Sequence, residues 1–341
     1  MQRYDLIKLP PGDDLFCFAD RKDLEKEEAI RPHISFWQDA FRRLQKNKAS
    51  LMGLAVILAI SFLAVFGPLF NDYGVDDQDV KRANLPPRVP VLEHVPWLGL
   101  DGTDGRGVHV YKQKEVQAYF WFGTDELGRD LWTRTWEGTR ISLYIAFLAA
   151  SIDLVIGVCY GSISAYYGGR IDHVMQRVIE VLVGIPNLII IILLILILKP
   201  GIVSITLAMV ITGWIGMARI VRGQVLKLKN QEFVWAARAL GSKDHRLIWK
   251  HLIPNALGPI IITAMFTIPS AIFTEAFLSF IGLGLQPPVA SLGTLVNDGY
   301  KILRIHPHLM IVSSMVISFI MISFNLLGDG LRDALDPKLR K

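Results

Sequence analysis

Residues 51–70 read LMGLAVILAISFLAVFGPLF, twenty positions without a single charge. About 20 apolar residues let a helix cross the roughly 30 Å of a bilayer's hydrocarbon. Inside lipid each backbone amide must be paired within its own segment, so the segment has to be helical. It begins too far from Met1 to be the apolar core of a cleavable leader, and is expected to persist as a first span. Working outward, further apolar runs at 141–167, 174–198, 202–218, 256–284 and 308–328 make six spans in all. The expected fold is all-α and integral to a membrane, with a small extracytoplasmic insertion at 71–140 between the first two spans.

The rest of the composition fits that reading. Of 341 residues 52% are hydrophobic, yet 36 are basic and 31 acidic, so apolar segments alternate with charged ones. Lys and Arg close to span ends mark the cytoplasmic side. Arg42, Arg43, Lys46 and Lys48 precede the first span, and eight basic residues from Arg219 to Lys250 follow the fourth. Arg170 and Arg177, and Arg332, Lys338, Arg340 and Lys341 in the tail at 329–341, fall on the same side when six spans are counted. Both termini are therefore expected in the cytoplasm. Positions 71–137 hold twelve acidic and eight basic residues, so the net charge of +5 reflects topology rather than a nucleic-acid surface. Cys17 in the tail and Cys159 inside the second span are badly placed to pair.

Residues 1–33 are polar and carry three prolines, and are expected to be ordered only by partners. Ser35 and Gln38 have the spacing of a capping box, and Trp37, Phe41 and Leu44 recur at helical spacing. This segment, within a tail at 1–50, either lies on the inner membrane surface or extends the first span. In the insertion, 108–111 and 116–122 are rich in β-branched and aromatic residues and predict a hairpin. Thr124 or Asp125 is expected to cap the next helix, and Leu131, Trp132 and Trp136 to lie at headgroup level.

The segment after the fourth span, within a loop at 219–255, reads QEFVWAARALGSKDHRLIWKHLIPN from Gln231 to Asn255. Glu232, Phe233, Val234, Trp235, Ala236, Ala237, Arg238 and Leu240 make about two turns of helix. Gly241 is suited to the left-handed residue that ends it. Ser242 is expected to cap a second helix and Pro254 to stop it. Small side chains at Ala236, Ala237 and Gly241 would let another protein's backbone come close.

At these residues the chain resembles the membrane subunits of bacterial ABC importers, whose loop signature is Glu-Ala-Ala, three residues, Gly, nine residues, Ile, one residue, Leu-Pro. The register holds, with Trp235 in place of the Glu, His251 of the Ile and Ile253 of the Leu. FGTDELGRDLWTRTWEGTRISL at 122–143, YYGGRIDHVMQR at 166–177, IPNLI at 185–189, EAFLSFIGLGLQPP at 275–288 and FNLLGDGLRDALDPKLR at 324–340 look like the second membrane subunit of the oligopeptide and dipeptide permeases. The resemblance implies the type I importer permease fold in the bacterial cytoplasmic membrane. It also implies a related second permease subunit, two cytoplasmic ATPase subunits that bind ATP and Mg, and an extracellular binding protein that delivers peptide. The loop helix would be the coupling helix. The chain has no G-x-x-x-x-G-K-[ST] phosphate loop, so it needs no cofactor of its own and hydrolysis is expected in partner chains.

Ionisable residues inside spans cost about 2.5–3.5 kcal/mol at mid-bilayer, so each needs a partner or water. Asp153 lies mid-way along the second span and Glu275 toward the outer end of the fifth. They either line a wet cavity that meets a peptide's ammonium group or bond between helices. Arg177 and Glu180, three apart, are expected to pair. Pro186 with Asn187, and Pro259 and Pro269, kink their helices, whether to shape a gate or simply in packing. His306 and His308 flank Pro307 with no cysteine near, which favours an interfacial role over a metal. No H-E-x-x-H or Ser/His/Asp cluster supports an enzyme. The remaining rivals are the same architecture carrying glutathione, a nickel chelate or a peptide antibiotic, and a stand-alone channel or proton-coupled carrier.

Overall fold

The computed structural model describes residues 36–95, 99–104 and 107–336; Ser35, Cys17 and residues 1–33 lie outside them. Among the described residues the protein is helical, with isolated bridges and no named strand. α1 (Phe36–Lys46) runs into α2 (Lys48–Phe66), where the Asn47 side chain accepts the Ser50 amide at 3.2 Å and caps the new helix. α2 lies along the last helix, α12 (His308–Leu335), so closely that a Cβ on Gly53 would sit 2.7 Å from the Ser323 carbonyl.

The insertion folds without the predicted hairpin. Val110–Gln113 is a short helix, α3, because Tyr111 turns inward beside Leu85 and Phe120 and donates its hydroxyl to the Pro86 carbonyl at 2.9 Å. Burial of that ring outweighs the β propensity of its neighbours. Arg88 stands over the rings of Tyr111 and Tyr119 and pairs with Glu93 at 2.8 Å.

α4 (Leu131–Tyr167) is 37 residues long, reaching well before the predicted start at 141. Its cap is Asp130, which accepts the Thr133 amide at 2.8 Å and the Asn71 amide group at 2.7 Å. Burial pushes the Asp130 carboxyl above its ordinary range, against the pull of these bonds. Thr124 and Asp125 do not cap. Thr124 accepts the Leu85 amide, and Asp125 holds Arg129 at 2.7 Å and Arg134 at 3.5 Å. Leu131 and Trp136 are buried rather than presented to headgroups, and the Trp132 indole donates to the Gly67 carbonyl at 2.8 Å. The rings of Trp132 and Trp136 meet edge to face at 5.4 Å, so packing claims these indoles.

The third span is not one helix. α5 (Gly169–Gly184) and α6 (Asn187–Leu198) meet at 80°. Pro186 removes an amide and holds Ile185 in extended backbone (φ −93°, ψ 124°), which ends α5. Arg177 and Glu180 pair at 2.7 Å on an exposed face of α5.

α7 (Ile202–Leu228) is the main partner of α4. Lipid tails are as apolar as the helices, so close van der Waals packing must hold them together, and small residues permit it. Gly157 and Gly161, four apart, supply that surface. A Cβ on Gly157 would lie 2.6 Å from that of Met217, and one on Gly161 2.4 Å from the Ala218 carbonyl.

After α7 come α8 (Glu232–Ala239), the short α9 (Asp244–Arg246), a π turn at Leu247–Leu252, α10 (Ile253–Phe280), α11 (Leu292–Lys301) and α12. Pro254 does not stop a helix. It occupies the first turn of α10, where a missing amide is tolerated, and α9, the π turn and α10 form one span of 37 residues. Pro259 and Pro269 lie inside α10. Among the described residues five helices are long and apolar enough to cross a membrane, and six if the bent pair is one span. Leu58, Phe62, Leu196, Ile197 and Val203 point outward, while Ile145, Ile205, Ile268 and Ile272 fill the interior.

Candidate coupling surface and membrane cavity

Two places in this bundle have the chemistry of a working site. The first is α8. Its end is a Schellman turn: Gly241 has φ +78°, its amide reaches the Arg238 carbonyl at 2.9 Å, and the Ser242 amide reaches that of Ala237 at 3.1 Å. Val234 and partly buried Ala237, three apart, face down onto Val225, Leu247 and Leu252. The opposite face is open. Phe233, Trp235 and Leu240 are 39%, 57% and 87% exposed, and Ala236 lies among them.

Three details differ from the sequence reading. Ala237 belongs to the inner face, so of Ala236, Ala237 and Gly241 only the first and last are open to a visitor. Ser242 caps nothing, since Lys243 precedes α9 and makes no side-chain cap bond. Pro254 is exposed at the start of α10, away from the end of α8.

α8 is tied to the end of α4 by contacts that sequence reading missed. Tyr166, the penultimate residue of α4, donates to Asp244 at 2.6 Å and accepts from Arg238 at 3.3 Å. The Arg238 guanidinium lies 5.8 Å from the Tyr166 ring centre and 5.9 Å from that of Trp235. Beside it Arg222 on α7 makes a two-pronged pair with Asp172 on α5, at 2.7 and 2.5 Å, and Lys229 donates to the Ala165 carbonyl at 2.7 Å. Tyr166 of α4 thus links Arg238 of α8 to Asp244 of α9. Among the described residues Glu232 makes no ion pair.

The second place is a cavity of about 370 Å³ between α4, α7 and α10, closed at one corner by the start of α6. Its lining includes Asp153, Asn187, Thr212, Thr263, Thr267 and Thr274. Asp153 is only 5% exposed, and its Oδ1 has no hydrogen-bond partner. Gly213 makes room for it, for a Cβ there would stand 2.2 Å from Asp153 Oδ2. Asn187 Oδ1 accepts from Thr212 at 2.7 Å, and Pro186 stands just before it at the break.

Glu275 is not part of this cavity. It is fully buried, accepting from Ser142 and Ser279 at 2.8 Å each, and Ser142 in turn accepts the Leu292 amide at the start of α11. This joins α4, α10 and α11. Replacing Glu275 with Ala strands two buried hydroxyls, each worth about 1–3 kcal/mol. The expected outcome is a thermal unfolding midpoint several degrees lower in detergent. An unchanged midpoint would mean the serines find other acceptors.

His306 and His308 sit edge to face at 6.0 Å, and no group of three metal-binding side chains occurs among the described residues.

Comparison with known proteins gives this arrangement a family. Residues 157–341 match the profile described as binding-protein-dependent transport system inner membrane component, and residues 35–87 that of the N-terminal TM domain of oligopeptide transport permease C. The dipeptide transport system permease protein DppC of Bacillus subtilis (strain 168) is 46% identical over 330 residues, covering 96% of this chain and 94% of that one. The oligopeptide transport system permease protein OppC of the same organism is 45% identical, covering 93% and 94%. OppC of Escherichia coli (strain K12) is 37% identical, covering 90% and 92%. A chain of the MetNI methionine ABC transporter in inward-facing conformations shares the fold at TM-score 0.50 and 17% identity, over 58% of this chain and 94% of that one. With an all-helical bundle and both profiles in order along its length, the chain belongs to the binding-protein-dependent transport system inner membrane components, in the branch of the dipeptide and oligopeptide permease proteins.

Proposed function

We propose that this chain is one of two permease subunits of an ATP-driven importer that takes up short peptides, oligopeptides by preference, from an extracellular binding protein. ATP and Mg belong to two ATPase subunits in the cytoplasm, against which α8 docks as the coupling helix. Both termini and α8 lie on the cytoplasmic side, as the Lys and Arg flanks require. Kinship with dipeptide and oligopeptide permease proteins supports the peptide cargo.

The observation that carries the coupling role is the division of α8 into two faces. Val234 and Ala237 fix it to the bundle, while Phe233, Trp235, Ala236 and Leu240 stay open. An exposed apolar patch on a rigid support is a protein-binding surface. Closure of the ATPases would carry α8 with it and, through Tyr166, Asp244 and the π turn, shift α4 and α10 between two openings of the bundle.

The test is a variant on the open face only. Ala236→Trp and Leu240→Glu leave the inward contacts alone, so both permease chains should still assemble. Co-purification of the ATPase subunits and peptide uptake should each fall about tenfold, the effect of losing roughly 1.4 kcal/mol at an interface. Normal uptake in both variants, or ATP-independent uptake by this chain alone in liposomes, would overturn the proposal.

A further inference from the structure

The cavity beside Asp153 has a polarity that the importer reading does not explain. A threonine hydroxyl has one proton to donate and two lone pairs to accept with. Four threonines line this cavity, and the proton of each is already committed. Thr263 donates to the Pro259 carbonyl at 2.8 Å, Thr267 to that of Thr263 at 3.0 Å, and Thr274 to that of Ser270 at 2.8 Å. Thr212 donates to Asn187 at 2.7 Å. These four hydroxyls therefore offer a visitor only lone pairs, which outnumber the donors of the Ser270 hydroxyl and the Asn187 amide group on the same lining. Asp153 adds a carboxylate that is 5% exposed and has one oxygen without a partner.

An anion entering here would meet oxygen lone pairs on several sides. A group that is positively charged and carries several N–H donors would find a counter-ion and a ring of acceptors. The volume, about 370 Å³, lies within the roughly 300–1,000 Å³ of small-molecule sites. α4, α7 and α10 each contribute to the lining, so a ligand held here touches helices from both ends of the coupling chain.

We propose that this cavity binds the ammonium group of the travelling peptide, its free amino terminus or a lysine side chain, with Asp153 as counter-ion and the threonine oxygens as hydrogen-bond acceptors. The proposal rests on the importer reading and adds a selective step inside the permease, separate from selection by the binding protein. Gly213 is a positioning residue. It leaves the space in which the carboxylate stands, and a methyl there would push the carboxylate out of the cavity wall.

The experiment uses the complete importer in liposomes, with two lysine-free peptides that differ only in a free or an acetylated amino terminus. Each is supplied at a concentration that saturates the binding protein. Asp153→Asn should lower uptake of the free-amine peptide about tenfold and leave the slower uptake of the acetylated one unchanged. Asp153→Glu should retain most of the free-amine uptake, and Gly213→Ala should behave like Asp153→Asn. Equal loss for both peptides would assign Asp153 a structural role and overturn the proposal, as would no loss at all. Repeating the assay with choline in place of sodium and potassium separates an alkali cation from an ammonium group: an Asn effect that vanishes in choline would also overturn it. Failure of the importer reading looks different, because then the unaltered complex shows no ATP-dependent uptake.

Discussion

Gly161→Leu is expected to abolish recovery of a folded permease, whereas Gly161→Ala weakens it and Gly216→Leu leaves it intact. The three differ in what a new side chain meets. At Gly161 a Cβ would be 2.4 Å from the Ala218 carbonyl and 3.0 Å from the Arg222 amide. Those are backbone atoms of the facing helix and cannot rotate away. Even one methyl must part α4 from α7, and overpacking of this kind costs about 1–3 kcal/mol, with more for a branched chain. The separation would also open Gly157 against Met217 and Asp153 against Gly213, since all three contacts lie along one seam at four-residue intervals. Without a hydrophobic force between helices in lipid, little else can replace that packing. Gly216 lies on the same helix as Ala218, but a Cβ there has nothing of this chain within 4 Å. The measurement is the yield of monodisperse complex in detergent and its thermal midpoint. Wild-type behaviour of Gly161→Leu would mean the two helices are not in close contact.

That seam shows what could and could not be read from residue order. Membrane helices were legible because an apolar run of twenty residues has one stable form in lipid. The end of α8 was legible because Gly241 is where the chain needs a left-handed residue. Helix lengths were not: α4, α7 and α12 extend past 141, 218 and 328 on polar residues whose partners lie elsewhere, such as Arg222 with Asp172. Pro186 announced a kink in the third span, but its size, 80°, was not legible from residue order. The insertion was misread at Tyr111, whose position depends on Leu85 and Phe120 rather than on its neighbours. Asp153 and Glu275 looked alike in sequence and part company in structure. Ser142 of α4 and Ser279 of α10 bond to one, and a cavity opens before the other. The GVCYG spacing at 157–161 could have exposed the seam in advance.

Tyr166→Phe is expected to separate ATP hydrolysis from uptake. The substitution keeps the ring, and with it the contact to Arg238 at 5.8 Å and the edge-to-face packing on Tyr167 at 5.3 Å. It removes one hydroxyl, which donates to Asp244 at 2.6 Å and accepts from Arg238 at 3.3 Å. Hydrogen bonds to charged groups contribute about 1.5–3 kcal/mol; the lower end applies because Asp244 and Arg238 are exposed and screened. That is roughly a tenfold change in an equilibrium. The bond lies where α8, α4 and the start of the α9–α10 span meet, so its loss loosens the lever without touching the open face proposed to bind the ATPases. Co-purification of the ATPase subunits should then stay normal and hydrolysis should continue, while peptide imported per ATP hydrolysed falls about tenfold. Asp244→Asn keeps an acceptor at the same place and should restore part of the ratio relative to Asp244→Ala. A variant that loses its ATPases altogether would assign Tyr166 to docking, and an unchanged transport ratio would show that movement reaches α4 and α10 through the packed face of Val234 and Leu247 alone.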